Sequence, residues 1–462
     1  MKQAKKFTAA LLCGTVLLAA IPVPAVTAAD DPAAAEPAVM DCVVTMDGTT
    51  ATATNDKVKI EGGKITISAS GSYEFTGKLD DGQIYVNIAD EAADPGTVKL
   101  FLNNATITGK TDAAILIENA ENTSINILDG TENFIYDGAT YPEKVTAAIY
   151  AKDDLTIKSG GENGDGKLRI EAMTQDAVHC NNDLKITGGT LKVKTEQGDG
   201  LRGKTSVEIK GGKVDVNADG DGIKSTKGKV EISGGKIEIK AGNDAVQGET
   251  SVLISGGDLK ANGDRGLTNT AGKVTITGGE IFATATVDTP KEGTEAKDNT
   301  FKIDEKSTQP VMLLKMSEQQ VKEQRVVLKN QASASEIINK NPNKKFDYIL
   351  ISAPTMKVGD TYEISINEVV CENGAIEQKE LITSAENVVN TAPHVVKEDD
   401  PLDVNLDGNV DVSDPVLLLR YVAADKGVSP TDAMVKRMDT DGNGNVETAD
   451  ADLILKRIAR IA

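Results

Sequence analysis

The chain has 462 residues, too many for one ordinary hydrophobic core, so two or three domains are expected. Forty-three glycines, no tryptophan and 3% aromatic residues argue against a helical enzyme and for many short strands. A net charge of −21 excludes nucleic acid and anionic membranes as general partners, since both are polyanions, and suits a protein that gathers divalent cations.

The first residues read as a secretory signal. Lys2, Lys5 and Lys6 form a positive start, Ala9 to Ile21 a short apolar run, and small residues follow around Val26-Thr27-Ala28. Residues 1–29 are therefore expected to be removed, and 30–44 to be a linker. The apolar run is too short for a membrane span, and no other segment approaches eighteen apolar residues. The mature chain is expected to be secreted and extracellular, with no membrane span. Cys42, Cys180 and Cys371 are odd in number and widely spaced, which suits buried free thiols rather than disulfides or zinc. With only His179 and His394 present, no catalytic residue is assigned.

The middle of the chain repeats. Gly-Gly pairs stand at 188–189, 211–212, 234–235, 256–257 and 278–279, spaced 23, 23, 22 and 22 residues apart. Around each pair apolar and polar residues alternate, as in Val207-Glu-Ile209 with Val214-Asp-Val216, and Val230-Glu-Ile232 with Ile237-Glu-Ile239. That alternation predicts strands with one buried face. Strands so short must stack repeat on repeat to bury it. The period, without a helical segment, predicts an all-β right-handed parallel β-helix, an open solenoid, over residues 45–300. The glycine pairs fit corners that need positive φ. The stretch from Gly71 to Val86 reads as an N-terminal cap protecting the first sheet edge. Aligning Ala148–Ile157 with Ala177–Ile186 makes His179 the equivalent of Tyr150, a rung residue.

An aspartate column runs through the repeat at Asp176, Asp199, Asp221 and Asp244. Two readings stay open. Neighbouring strands lie about 4.8 Å apart, so calcium, with ligands at about 2.4 Å, could sit between stacked carboxylates. Alternatively the aspartates bond turn amides. In the first reading, pectate docks on calcium held along one edge by Asp199, Asp221 and Asp244.

The segments Lys152-Asp-Asp-Leu-Thr-Ile157, the repeated Asp-Gly-Ile and Ile-Ser-Gly-Gly motifs, and Phe346-Asp-Tyr-Ile-Leu-Ile-Ser-Ala-Pro354 resemble a clostridial family of calcium-containing parallel β-helices that bind carbohydrate. The resemblance covers about residues 45 to 370. It implies non-catalytic binding of plant cell-wall polysaccharide, either pectin (polygalacturonate) or cellulose. A rival reading is a calcium-dependent polysaccharide lyase of the pectin-cleaving type, for which Arg169, Arg202 or Arg265 would be the base. A structural or adhesion role is a third. Residues 301–370 are expected to form a small antiparallel β unit closing the solenoid. Residues 371–402, with Pro393, Pro401 and Glu398-Asp399-Asp400, read as a linker.

Residues 403–462 carry two twelve-residue loops thirty-six positions apart. The first offers Asp403, Asn405, Asp407, Asn409, Asp411 and Asp414; the second Asp439, Asp441, Asn443, Asn445, Glu447 and Asp450. Oxygen donors stand at positions 1, 3, 5, 9 and 12, with the carbonyl of position 7 and a glycine at position 6 for the turn, as calcium requires. A helical run follows each loop and none precedes the first. This loop–helix duplication resembles a type I dockerin, a small all-α module. The resemblance implies two calcium ions and, as partner, a cohesin domain on the scaffold of a cellulosome-like complex. Its recognition positions fall on Val412, Ser413, Arg420, Thr448, Ala449 and Lys456.

Overall fold

The computed structural model describes residues 39–459 except 139, 143, 289–294, 358–359, 361, 368, 377–380, 383–392, 395–399, 406–409 and 429. The expected signal at 1–29 and linker residues 30–38 lie outside the described residues. From Cys42 the chain is already in strand, because Cys42–Gly48 pairs in parallel with Gly71–Leu79.

Each repeat supplies strands to three walls. One wall is a ten-stranded sheet that includes Asp176–Cys180, Leu201–Gly203, Ile223–Ser225 and Asp244–Gly248. The other two walls are ladders of a twenty-stranded sheet. Register stacks like on like: Leu184 over Val207, Val230, Val252 and Val274, each at most 1% exposed. Each such residue taken from water contributes about 1.5–3 kcal/mol, which no single repeat could capture alone.

Between the two ladders the second glycine of each pair turns the chain at positive φ, with values of 80°, 87° and 92° at Gly189, Gly212 and Gly235. A Cβ on Gly212 would meet the carbonyl oxygen of Gly189 at 2.7 Å. Here composition and geometry agree with the corner role expected of the pairs.

The expected open β-helix is corrected by the pairing itself. Hydrogen bonding closes into a ring of twelve parallel strands, a closed barrel with extra strands. From Thr97–Gly109 one ladder runs through Asn122–Ile127, Asp154–Ser159, Asp183–Ile186, Ser206–Ile209 and Lys229–Ile232 to Ser251–Asn262. The other returns through Lys236–Ala241, Lys213–Ala218, Thr190–Thr195, Lys167–Ala172 and Glu132–Asp137 to Thr97–Gly109. The cause is the length of the two end strands, 13 and 12 residues, which run through the corner and pair with both ladders.

Hairpins guard the start: Cys42–Gly48 with Thr50–Ala53, and Val58–Glu61 with Lys64–Ile67. At the far end Phe346–Ser352 lies antiparallel between Val274–Ala285 and Val311–Gln320, so the closing segment joins the large sheet rather than standing apart. A four-stranded antiparallel sheet packs there on its own apolar core, which includes Phe346 and Tyr362. Cys42 and Cys180 are free and buried.

The C-terminal module is helical, as expected, and its helices are Ser413–Val422, Asp432–Met438 and Thr448–Ala459. Val404, Leu418, Met438, Ala451 and Ile454 form its small core. The middle helix was not anticipated. Its start is capped by Thr431, whose side chain accepts from the Met434 amide. Among the described residues no helix is long and apolar enough to cross a membrane.

Ile232 is fully buried in the first ladder. Ile232→Asp, which buries an unpaired carboxylate, should cost about 4 kcal/mol in denaturant unfolding, whereas Lys236→Ala on the outer face should stay within about 0.5 kcal/mol. Equal stability of both variants would contradict the register.

Candidate functional site

In the second C-terminal loop the chain folds back so that Asp439, Asp441 and Asp450 each bring a carboxylate oxygen within 4.8 Å of the others. Asp450 is the hub. Its Oδ1 accepts the amides of Thr440 (2.8 Å) and Asp441 (3.2 Å), and its Oδ2 accepts that of Glu447 (2.8 Å). Burial raises its pKa, but the amides of Glu447, Asp441 and Thr440 outweigh burial and hold the carboxyl below the usual range. Gly444 donates its amide to Asp439 Oδ2 at 2.9 Å, from a φ of 89° that favours glycine. Asp439 Oδ1 is buried and has no protein hydrogen-bond partner. A buried, unpartnered carboxylate oxygen converging with two more carboxylates fits a hard cation at about 2.3–2.6 Å. Asn443 and Glu447 lie alongside, Asn443 donating to Asp441 Oδ2 at 2.9 Å and Asn445 donating its amide to Asn443 Oδ1 at 2.8 Å.

The first loop repeats this plan. Asp414, fully buried, accepts the amides of Asn405 (3.0 Å) and Asp411 (2.9 Å), and Asp403 is buried beside the core. Asp411 takes the Ser413 amide and hydroxyl. Asp407 and Asn409 lie outside the described residues. All six recognition positions are exposed: Val412, Ser413 and Arg420 on one loop–helix unit, Thr448, Ala449 and Lys456 on the other. Their surroundings differ. Val412, at the cap of the first helix, and Val416 on it are exposed and apolar where their equivalents Thr448 and Asp452 are polar, whereas Leu419 and its equivalent Leu455 are both exposed.

The aspartate column is real, and its carboxylates face a specific set of partners. Asp176 Oδ1 accepts the amide of Asp199 (2.8 Å), Asp199 Oδ1 that of Asp221 (2.8 Å), and Asp221 Oδ1 that of Asp244 (2.9 Å). The remaining oxygens meet basic side chains. Arg202 donates to Asp176 Oδ2 at 3.1 Å, and Lys224 to Asp221 Oδ2 at 2.5 Å while lying 3.5 Å from Asp199 Oδ2. Arg265 grips Asp244 through two bonds, 2.5 and 2.6 Å. The turn-amide reading therefore accounts for one oxygen of three of the carboxylates, and the chain's own cations for the other. Burial lifts the carboxyls of Asp176 and Asp244 to about 6, with Asp199 adding to the rise at Asp176 and Arg265 opposing it at Asp244. Sequence reasoning missed these cations, although a basic residue three positions after Asp199 and Asp221 was the signal.

His179 pairs in register with Tyr150, as the alignment required. Burial, aided by Arg202 and Lys204, lowers its pKa to about 4, so the ring is neutral at physiological pH. Thr146 Oγ1 sits 2.6 Å from its Nδ1.

The outer face of the ladder bearing Glu132–Asp137 carries two columns. One runs Phe134, Arg169, Lys192, Asp215, Glu238; the other Tyr136, Glu171, Lys194, Asn217, Lys240. At the far end Lys344 leans over the ladder, donating to the carbonyls of Ala241 (2.6 Å) and Gly242 (3.1 Å) and to Asp264 (2.9 Å). It closes a recess of about 310 Å³ lined by Lys194, Asn217, Asp219 and Lys240.

Residues 61–341 match the model of the carbohydrate-binding domain-containing protein family, and residues 401–459 that of the dockerin type I domain. A carbohydrate-binding domain-containing protein of Acetivibrio thermocellus is 35% identical over 142 residues, 29% of this chain and 46% of that relative, so the chain spans less than half the relative's length. A solved structure described as a polysaccharide lyase-like protein from C. thermocellum, in its gadolinium derivative, is 34% identical, with a TM-score of 0.45, over 51% of this chain and 94% of that one. Type I dockerins bind calcium and cohesin, which fits the loops described above. The chain belongs to the carbohydrate-binding domain-containing protein family and carries a type I dockerin domain at residues 401–459.

Proposed function

We propose that this is a secreted, non-catalytic polysaccharide-binding component of a cellulosome-like complex. The repeat domain grips plant cell-wall polysaccharide, pectin or cellulose, and the dockerin, holding one calcium in each loop, docks on a cohesin of the scaffold. Asp403, Asn405, Asp407, Asn409, Asp411 and Asp414 would hold the first ion. Asp439, Asp441, Asn443, Asn445, Glu447 and Asp450 would hold the second. Exposed Val412 and Val416, whose counterparts Thr448 and Asp452 are polar, favour the first loop–helix unit, with Ser413 and Arg420, as the main cohesin contact.

One observation carries the non-catalytic reading: each arginine that could act as a lyase base is tied to a carboxylate. Arg169 pairs with Glu171, Arg202 with Asp176 and Arg265 with Asp244. Lys224 fares no better as a base, because Asp221 and Asp199 raise its pKa against the effect of burial. A proton-abstracting group needs a free lone pair turned to its substrate, whereas these side chains are committed as donors to carboxylates. In this reading the aspartate column is structural, with Arg202, Lys224 and Arg265 standing where calcium would otherwise be needed. Incubating the full chain with polygalacturonate tests it. No unsaturated product should accumulate by ultraviolet absorbance, and its steady release would establish the lyase instead.

Chelation should abolish cohesin binding, because the dockerin's core is too small to hold the loops without metal. Asp403→Ala with Asp439→Ala should do the same in calcium while the repeat domain melts as before. Equal cohesin affinity in chelator and in calcium would refute this.

The column also makes a pH prediction. Asp176 and Asp244 have folded pKa values near 6, above an unfolded value near 3.8. These two carboxyls therefore bind more protons in the folded state between those values, and their contribution to stability rises as pH falls from 7 towards 4, partly offset by His179, whose folded value near 4 lies below its ordinary 6.5. The repeat-domain melting transition should move up across that window, and less so in Asp244→Asn. An acid shift of the same size in wild type and in Asp244→Asn would contradict the assignment.

A further inference from the structure

Asparagine stands directly before glycine four times, at Asn163, Asn262, Asn373 and Asn443. Asparagine is thermolabile, and most so before glycine, whose missing side chain leaves the amide nitrogen open to attack the carboxamide. The fold treats the four sites differently. Asn262 is fully buried at the end of Ser251–Asn262, where its Nδ2 donates to the Ile239 carbonyl at 3.3 Å and its Oδ1 accepts the Thr284 hydroxyl at 2.9 Å. Asn373 lies inside the strand Val369–Ile376. Asn163 is exposed in a turn of the repeat domain, and its carboxamide makes no hydrogen bond among the described residues.

Asn443 differs from all three because it is position 5 of the second calcium loop. It is exposed, and a Cβ on Gly442 or Gly444 would meet nothing within 4 Å, so the chain has room to move on both sides. Only the loop itself holds the carboxamide: its Nδ2 donates to Asp441 Oδ2 at 2.9 Å, and its Oδ1 accepts the Asn445 amide at 2.8 Å. That loop brings the carboxylates of Asp439, Asp441 and Asp450 within 4.8 Å of one another, where they repel unless a cation lies between them. The Gly444 amide donates to Asp439 Oδ2 at 2.9 Å, so an acceptor already stands at the nitrogen that must lose its proton.

We propose that Asn443 is a deamidation site gated by calcium, and that its modification in the metal-free loop ends the dockerin's hold on its partner irreversibly. The proposal rests on the calcium reading of this loop. The Gly444 nitrogen attacks Asn443 Cγ, its proton passes to solvent, and the Cγ–Nδ2 bond breaks with release of ammonia. Water then opens the five-membered succinimide at one of its two carbonyls. One opening leaves aspartate, matching Asp407 at position 5 of the first loop. The other leaves isoaspartate, which adds a carbon to the main chain just before the turn that Gly444 makes at a φ of 89° and withdraws the ligand. With calcium bound, the Asn443 oxygen is a ligand and the carboxamide is not free to turn towards Gly444. The first loop lacks this weakness, because Asn405 and Asn409 precede Leu406 and Val410, whose side chains shield the amide.

The test holds the full chain at neutral pH in calcium or in chelator, restores calcium to both, and follows cohesin binding and tryptic peptide masses. Residues 438–456 should gain about 1 Da at least about tenfold faster in chelator than in calcium. Residues 159–167, which carry Asn163, should gain it equally in both conditions, and residues 261–265, which carry buried Asn262, in neither. Cohesin binding should return when calcium is added to freshly chelated chain, and not to chain aged in chelator. Asn443→Asp, whose carboxylate is a poorer electrophile, should keep most of its recovery through the same ageing. A mass gain at 438–456 that is equal in calcium and chelator, or absent from both, would overturn the proposal while leaving the calcium site intact. So would loss of cohesin binding by Asn443→Asp at the wild-type pace. Cohesin binding indifferent to fresh chelator would instead remove the calcium reading, and the proposal with it.

Discussion

Everything in the repeat domain depends on register between neighbouring strands. One strand of four to six residues buries two or three apolar side chains, too few to hold it in place. Stacked in register, Val207 over Val230 over Val252 makes an uninterrupted apolar column, and the amide of each aspartate meets the carboxylate of the one before it. A slip of one residue would turn every column inside out. The glycine corners and the aspartate turns both serve to forbid that slip.

The same register governs the outside. Because the stacking is regular, outward side chains form straight columns on rigid walls, and a surface property set in one repeat extends across several. The outward rows from Arg169 to Glu238 and from Glu171 to Lys240 extend in this way across four strands. The dockerin supplies the opposite quality: a small module whose order is tied to an ion and whose task is attachment. Rigid grip and switchable attachment are separated along the chain.

Much of this was legible in the amino-acid sequence. The spacing of the glycine pairs gave the repeat, alternation gave the inward residues, and the loops from Asp403 and Asp439 gave the dockerin, where Asp414 and Asp450 prove to be buried hubs of amide bonds. Closure of the barrel was not legible. Gly256-Gly257 looks like the other pairs, yet Ser251–Asn262 continues through it as one strand. At the other closure Thr97–Gly109 runs through Asn103-Asn104, with no glycine pair to mark a corner at all. The column's cations were half legible. Lys224 follows Asp221 by three residues, but Arg202 reaches Asp176 and Arg265 reaches Asp244 from the next repeat, contacts only the fold creates. The pair Phe134 and Tyr136 could be read as outward-facing only once the register of Ile135 was known.

The central claim is that one chain joins a scaffold to a polysaccharide and does nothing else to either. A bridging assay measures this directly: a labelled cohesin is mixed with insoluble plant cell-wall polysaccharide, with and without the chain. The account predicts that cohesin sediments with the polysaccharide only when chain and calcium are both present, and that no soluble sugar is released. Cohesin left in solution with the intact chain and calcium, or sugar released in step with binding, would contradict it.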